Sequence, residues 1–369
     1  MKSSLSQRLN DRKACQTLAS KKDMLQTPKK PLIRRGMVWV LALFLLGFLG
    51  VWFGGARQAQ HNSREPLVCP LPSPSANTPH PGMVWVPGGV FEMGSTHYPE
   101  EGPPRRVKVA GFWMDRTEVT NDEFAAFVQA TGYITEAERP IDPSQKPGLP
   151  AAMLQPGAVV FVMPNDVRGH GDVTQWWRYI PGAQWRHPGG PGSDIKGKGA
   201  FPVVAVTIAD AHAYARWKGR DLPSEAQWEW AARAASPEPT APHEQPRQAN
   251  TWQGLFPVVN LAEDGFVGLA PVACYPANTL GLFDMIGNVW ELTADAWSPN
   301  LHAGLHGERS DAPPQAMRPT PAAQHVIKGG SFLCAPNYCV RYRPGARQPQ
   351  DTDLATSHLG FRTILRGEP

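Results

Sequence analysis

The chain has 369 residues, of which 18% are charged, and it contains 35 glycines, 39 prolines and 13 tryptophans. This composition excludes a helical bundle or a disordered chain and indicates a folded protein rich in loops and turns. Residues 1–36 hold ten lysines and arginines against two aspartates, so the net charge of +4 conceals a mildly acidic remainder. A basic tail on an acidic body argues against nucleic acid as a partner.

Residues 37–54 are uncharged and strongly apolar. At about 1.5 Å per residue, this run is just long enough to cross a bilayer. Arg34 and Arg35 precede it, which predicts a cytoplasmic N-terminus and a body on the outer side of the membrane. A cleaved signal peptide is the alternative, but the long basic lead and the flanking Trp39 and Trp52 favour an uncleaved anchor. We therefore predict a single-pass inner-membrane protein with the following parts: basic cytoplasmic tail 1–36, transmembrane helix 37–54, proline-rich linker 55–81, and a periplasmic domain 82–369.

The body begins with short strands. Residues 83–94 predict two strands around Pro87-Gly88-Gly89, and residues 107–114 predict another. A capping box formed by Thr120 and Glu123 predicts a helix that ends near Gly132.

Two more helices are predicted further along. One covers residues 209–218, is capped near Thr207 and ends at Gly219. The other begins at Ser224, where Gln227 completes a second capping box. The intervening residues 140–201 read as a long loop, which is uncommon unless it carries function. Regular structure is hard to find after Ala235, so we expect an α+β body that depends on loop packing.

Acidic residues occur in two glycine-containing loops. Asn250 and Asp264 bracket the first, and Asp284 and Glu291 bracket the second. Calcium takes six to eight oxygen ligands from carboxylates and main-chain carbonyls, which such loops can supply. The alternative is that these side chains are solvated or cap turns.

Other familiar catalytic motifs do not occur in the sequence. It contains no H-E-x-x-H, G-x-S-x-G, P-loop or G-x-G-x-x-G after a predicted strand. Zinc proteases, serine hydrolases, nucleotide hydrolases and nicotinamide enzymes therefore lose support.

Four cysteines follow the predicted anchor: Cys69, Cys274, Cys334 and Cys339. An oxidising compartment permits disulfides, and four cysteines allow three full pairings.

Cys334 and Cys339 enclose four residues, a spacing unlike that of zinc ribbons. They could close a small disulfide loop or form a two-thiolate site for Cu(I) that leaves room for a third sulfur. The nearby Arg341, Arg343 and Arg347 would favour the thiolate form.

At this point the sequence closely resembles the formylglycine-generating enzymes, or sulfatase-modifying factors. The resemblance runs from about Met83 to Ile364. Its general motifs are Pro87-Gly88-Gly89, Glu118-Val119-Thr120-Asn121, Pro223-Ser224-Glu225-Ala226-Gln227-Trp228, Gly287-Asn288-Val289-Trp290-Glu291 and Leu359-Gly360-Phe361-Arg362. The loop Trp185-Arg186-His187-Pro188 and the pair Cys334 and Cys339 mark the catalytic branch.

The resemblance implies an α+β fold distantly like that of C-type lectins, with little regular secondary structure and two bound Ca²⁺ ions. The first ion would be held by the side chains of Asn250 and Asp264 and the carbonyls of Thr251 and Phe266. The second would be held by the side chains of Asp284 and Glu291 and the carbonyls of Met285, Gly287 and Val289.

The implied reaction is the oxidation by O₂ of a cysteine to Cα-formylglycine. The substrate would be an unfolded sulfatase polypeptide with a Cys-x-Pro-x-Arg motif, and Cys334 and Cys339 would bind Cu(I). Ser331 would orient oxygen or water, and Tyr338, Trp290 and Arg347 match positions that line the pocket.

Alternatives remain open at this stage. A non-catalytic binding or assembly module of the same fold is the main one, although such relatives usually lack the cysteine pair. The iron-dependent sulfoxide-synthase branch would need an upstream helical domain, which the sequence does not show. A disulfide between Cys69 and Cys274 is one of the possible pairings.

The sequence also departs from the family pattern. Pro344 and Thr363 stand where some relatives carry structural cysteines, and Asp284 stands where relatives often have asparagine. His358 replaces an asparagine just before Leu359, which alters one polar contact of the pocket.

Overall fold

The computed structural model describes Cys69 and residues 78–144, 148–233, 245–299 and 324–367. The predicted tail at 1–36, the predicted transmembrane helix at 37–54 and most of the linker at 55–81 lie outside these residues. In the part of the chain that is described, no helix is both long enough and apolar enough to cross a membrane.

Short strands make up four small sheets in the described ranges. The strands are β1 (Met83–Val86), β2 (Gly89–Met93), β3 (Arg105–Val109), β4 (Phe112–Asp115), β5 (Gly157–Phe161), β6 (Trp177–Pro181), β7 (Trp290–Ala296), β8 (Gln324–Lys328), β9 (Gln348–Asp351), β10 (Leu359–Gly360) and β11 (Ile364–Arg366). One sheet has three strands in the order β1-β4-β11, another has four in the order β10-β7-β8-β9, and β2-β3 and β5-β6 form antiparallel pairs. The pairing of β10 with β7 is parallel.

The single strand predicted over 107–114 is wrong, because the chain changes sheets at Ala110 and Gly111. β3 pairs with β2, whereas β4 pairs with β1 and β11. Gly111 lies directly against the indole of Trp85, and a Cβ there would fall 2.3 Å from the ring. The glycine therefore permits the close approach that separates the two strands.

The three predicted helices are confirmed as α1 (Asn121–Thr131), α2 (Ile208–Trp217) and α3 (Glu225–Arg233). At α1 the Thr120 hydroxyl accepts the Glu123 N–H, and the Glu123 carboxylate accepts the Thr120 N–H. Gly132 ends this helix with φ of 65°, a conformation that glycine adopts without steric penalty.

The expectation of a long loop over 140–201 is wrong in part, because this region contains the β5-β6 hairpin. Gly157 lies opposite Pro181 in its register. The region after Ala235 also contains more regular structure than expected, namely β7 to β11. These strands are two to seven residues long, and most find their partners far away in the sequence.

The main core is aromatic and extends to the cysteine pair. The ring of Phe124 on α1 lies 5.2 Å from that of Trp185 and 6.0 Å from that of Tyr214 on α2. Cys334 and Cys339 belong to the same buried cluster. The fold is thus α+β with few helices and mixed sheets, and the cysteine segment is seated on its core.

Candidate active site

Two glycines turn the chain after β8 and start the cysteine segment. Gly329 and Gly330 have φ of 92° and 77°, values that favour glycine. A Cβ on Gly330 would lie 3.0 Å from the carbonyl oxygen of Arg341, so the segment returns tightly past its own start. This return brings Cys334 and Cys339 together.

The two sulfurs lie 3.7 Å apart, and no disulfide joins them. Both cysteines are buried, with 1% and 5% of their surface exposed. A metal bound at about 2.3 Å from sulfur can bridge two sulfurs up to about 4.6 Å apart. The geometry therefore permits one ion between the two sulfurs.

The protein offers few further side chains to such an ion. Across the described residues, no group of three or more His, Cys, Asp or Glu side chains is placed to hold a metal. Two thiolates without a third strong protein ligand suit Cu(I) better than Zn²⁺, which prefers four tetrahedral ligands.

Ser331 and Tyr338, both predicted site residues, frame the cysteine pair. The Ser331 N–H points to the Cys334 sulfur at 3.4 Å, and its hydroxyl accepts the Leu333 N–H at 3.3 Å. The ring of Tyr338 stacks on that of Phe256 with centroids 4.3 Å apart. Both residues are buried.

Trp290, a third predicted pocket residue, begins β7 and is 2% exposed. Its N–H donates to the carbonyl of His358 at 2.9 Å. Because Leu359 pairs with Trp290 in the sheet, the strand fixes the position of the indole relative to His358.

The predicted role of arginines beside the thiols gains no support from their contacts. The Arg347 guanidinium donates to both carboxylate oxygens of Glu225, at 2.6 and 3.0 Å. Arg341 and Arg343 are equally buried and form ion pairs with carboxylates of a short turn, Pro99–Glu101. The carboxylates therefore neutralise the positive charges of these arginines. The ion pairs hold the cysteine segment in place.

The first acidic loop is organised around Asp264. Its carboxylate accepts the N–H groups of Thr251 and Phe266 at 3.0 and 3.1 Å, so the structure brings these predicted ligands together. The amide of Asn250 donates to the carbonyl of Gly268 at 2.9 Å. Burial raises the pKa of Asp264.

The second acidic loop concentrates buried negative charge. Glu118, Asp284 and Glu291 are 0%, 8% and 0% exposed. Glu291 forms a two-bonded ion pair with Arg362, both distances being 2.7 Å. Burial raises the pKa of Asp284 to about 6. Three carboxylates around one arginine leave a net negative charge that a cation would offset.

Glu118 is a member of this buried acidic cluster that the sequence reasoning missed. Its Oε2 has no hydrogen-bond partner among the described residues, and burial, followed by the charge of Asp284, raises its pKa well above normal. An orphaned buried carboxylate oxygen suits a ligand of a hard cation. Its position two residues before the first capping box gave no local sign of this, because its acidic neighbours are remote in sequence.

Asn288 connects both acidic loops to the cysteine segment. Its side-chain oxygen accepts from Asn250 at 3.1 Å, and its amide donates to Glu118 at 3.1 Å. Its main-chain carbonyl accepts the N–H of Phe332 at 2.9 Å. The three parts of the predicted site therefore form one connected structure.

His358 lies near the predicted pocket and is almost fully buried, at 3% exposure. Its ring lies 4.7 Å from that of Trp177, and its Nδ1 is 2.9 Å from the Thr356 hydroxyl. Burial lowers the pKa of His358 to about 3, so the imidazole is neutral in the folded protein.

Comparisons with known proteins agree with this geometry. A family model described as the sulfatase-modifying factor enzyme 1-like domain matches residues 68–366. A formylglycine-generating enzyme of Mycobacterium tuberculosis is 50% identical over 292 residues, which is 76% of this chain and 97% of that protein. A mouse protein named inactive C-alpha-formylglycine-generating enzyme 2 is 39% identical over 295 residues, covering 76% of this chain and 85% of that protein.

Among solved structures, PvdO from Pseudomonas aeruginosa matches 77% of this chain and 94% of its own, with a TM-score of 0.52 and 23% identity. This similarity concerns the fold alone. The family match over residues 68–366 and the identity to the mycobacterial protein show that the chain belongs to the sulfatase-modifying factor enzyme family.

Proposed function

We propose that this protein is an oxidoreductase that converts a cysteine of sulfatase-type polypeptides into Cα-formylglycine, with O₂ as the oxidant and Cu(I) bound by Cys334 and Cys339. The observation that carries the proposal is the pair of buried sulfurs 3.7 Å apart without a disulfide. Relatives named formylglycine-generating enzyme support the choice of substrate. Bound Cu(I) would supply the redox chemistry and a coordination position for the thiol of the client.

The neighbouring residues would position the client and limit water. Tyr338 is packed between Phe256 and Trp176, with ring centroids at 4.3 and 5.7 Å, and Trp290 is buried beside the same core. These rings would form an apolar surface against which the client cysteine packs. The Ser331 N–H, directed at the Cys334 sulfur, would hold that sulfur in position.

The test uses the purified full-length chain in detergent, loaded with Cu(I) and supplied with O₂ and a Cys-x-Pro-x-Arg peptide. Mass spectrometry should detect the aldehyde product. Cys334→Ser should lower the rate by at least about 100-fold, because a metal ligand is lost. Cys15→Ser, which removes a cysteine from the predicted cytoplasmic tail, should retain the parent rate.

The second candidate is a non-catalytic binding module of the same fold, which the likeness to a relative named inactive favours. It predicts no aldehyde from the parent chain and no difference between the parent and Cys334→Ser. Binding of the peptide without conversion would support this candidate against the oxidase.

We also propose that each acidic loop binds Ca²⁺. For the first loop, the ligands would be the side chains of Asn250 and Asp264 with the carbonyls of Thr251 and Phe266. For the second, the ligands would be the side chains of Glu118 and Asp284 with the carbonyls of Met285, Gly287 and Val289, so that Glu118 takes the place predicted for Glu291. The oxygens of Glu291 already accept hydrogen bonds from Arg362 and Trp228, so Glu118 with its orphaned oxygen is the better supported ligand. Bound Ca²⁺ would neutralise the buried carboxylates.

Glu118→Gln tests the second calcium site. Without Ca²⁺ the variant should be about as stable as the parent, because glutamine resembles the protonated carboxyl that the raised pKa of Glu118 favours. Saturating Ca²⁺ at about 100 times its Kd should stabilise the parent by about 2.7 kcal/mol per site. The stabilisation of the variant by Ca²⁺ should be smaller by the contribution of one site. Tm measured with chelator and with Ca²⁺ checks this, and Glu263→Gln, at an exposed position in the first loop, is the control. An equal Ca²⁺ response in Glu118→Gln and the parent would refute the assignment of Glu118.

We further propose that the body lies on the periplasmic side of the inner membrane, held there by one helix at 37–54. The disulfide between Cys69 and Cys274 supports an oxidising compartment. Protease added to spheroplasts should digest the body without lysis; complete protection would contradict this orientation.

A further inference from the structure

A short segment, Val272 to Tyr275, lies between the two acidic loops and contacts both. The N–H of Ala273 donates to Oδ2 of Asp284 at 2.6 Å. The hydroxyl of Tyr275 donates to the main-chain carbonyl of Asp264 at 3.1 Å. The residues that flank Cys274, Ala273 and Tyr275, thus each contact a residue predicted to bind Ca²⁺.

The contact to the second loop is made in an unusual backbone conformation. Ala273 and Asp284, the two partners of that hydrogen bond, have φ of 61° and 54°. Residues with a Cβ adopt this left-handed region only where surrounding structure holds them. The backbone of the segment at Ala273 therefore requires a constraint from the surrounding structure.

The Cys69–Cys274 disulfide supplies that constraint. It links Cys274, within the segment, to Cys69, which lies 205 positions earlier in the chain. Tyr275 beside it is 9% exposed, so its hydrogen bond to the main chain of Asp264 is largely shielded from water.

We propose that the Cys69–Cys274 disulfide positions residues 272–275 so that both acidic loops are preorganised, and thereby sets their affinity for Ca²⁺. This inference rests on the calcium binding proposed above. With the disulfide intact, the hydrogen bonds to Asp284 and Asp264 are in place before the ion arrives. Without it, part of the binding free energy is spent on ordering the segment, and the apparent affinity falls with the fraction of molecules that are already ordered.

The experiment measures Ca²⁺ binding directly, by calorimetric titration of CaCl₂ into the chelator-treated full-length chain. In Cys69→Ser/Cys274→Ser we expect the Kd for Ca²⁺ to rise about tenfold. The control is Cys15→Ser, which removes a cysteine of the predicted cytoplasmic tail and leaves the disulfide, and its Kd should stay within about twofold of the parent.

A second measurement covers the case in which the disulfide variant does not fold. The Cys15→Ser chain is treated with a dithiol, which gives two electrons to the disulfide, becomes oxidised itself and leaves two additional thiols that mass spectrometry can count. Cys69 and Cys274 are both partly exposed, so the reagent can reach them. The Kd should rise on reduction, and Tyr275→Phe, which keeps the disulfide but lacks the hydroxyl, should show a smaller rise.

The outcomes separate this inference from the calcium proposal. An unchanged Kd in the disulfide variant and after reduction overturns the inference while calcium binding stands. A parent chain that binds no Ca²⁺ overturns both.

Discussion

At the scale of single residues, two cysteine pairs show how position decides chemistry. Cys334 and Cys339 are near neighbours in sequence and keep their sulfurs 3.7 Å apart as thiols. Cys69 and Cys274, which are 205 positions apart, form a disulfide. A buried pair without a disulfide remains available as a metal ligand, whereas the other pair is available only for structure.

His358 gives a prediction about pH. Its pKa falls from 6.5 to about 3 on burial, so between these values the unfolded chain binds the proton that the folded protein excludes. Stability must therefore decrease as the pH falls below 6.5. This residue alone should lower the free energy of unfolding by about 2 kcal/mol from pH 7 to pH 5.

His358→Asn should reduce that loss, because asparagine does not titrate. Urea unfolding of the parent and the variant at several pH values between 5 and 7 provides the measurement, and the comparison concerns the slope with pH. Parallel slopes for the two proteins would show that the imidazole titrates normally in the folded state.

At the scale of elements, a network of buried ion pairs holds the cysteine segment to the rest of the protein. The turn Pro99–Glu101 presents Glu101 to Arg343, whose guanidinium lies 2.8 Å from one carboxylate oxygen and 3.0 Å from the other. Lys328 at the end of β8 forms a fully buried ion pair with Glu229 of α3 at 2.8 Å. These contacts fix both ends of the segment from different elements.

Arg343→Met should therefore destabilise the protein by about 3–5 kcal/mol, since it leaves the buried Glu101 without one of its cations. The control is Arg139→Met, which breaks an ion pair with Glu136 whose side chains are 44% and 36% exposed. That exposed pair should contribute no more than about 1 kcal/mol. Chemical denaturation of both variants tests the contrast, and similar losses in the two would contradict the importance of burial.

At the scale of the whole molecule, one sheet joins the two ends of the folded body. β4 lies between β1, at the start of the body, and β11, near the end of the chain. Ile364 of β11 is fully buried in the same cluster as Val86 of β1 and Trp228 of α3. The body should therefore unfold as one cooperative unit.

Ile364→Ala should lower the stability by about 2–5 kcal/mol by leaving a cavity. Leu365→Ala, at the partly exposed neighbouring position, should cost less. Tryptophan fluorescence and circular dichroism should give coincident unfolding curves for the parent and both variants. Separate transitions would show that the sheet does not couple the ends of the body.

Local patterns allowed the sequence alone to predict much of the helical structure. The helices predicted from the capping boxes at Thr120 and Ser224 are confirmed. Each box is formed by residues three positions apart, and such contacts need no distant partner. The proximity of Cys334 and Cys339 was likewise a local prediction.

The tertiary structure decided what depends on partners far apart in sequence. This group includes the partners of Arg343 and Arg347, the pairing of Cys69 with Cys274, and the strands after residue 235. Glu118 is the clearest case, since it is 170 positions from the amide of Asn288 that donates to it. Sequence spacing reveals contacts within a turn of helix or a short loop, but the burial that perturbs a carboxylate or neutralises an arginine arises only when remote segments pack together.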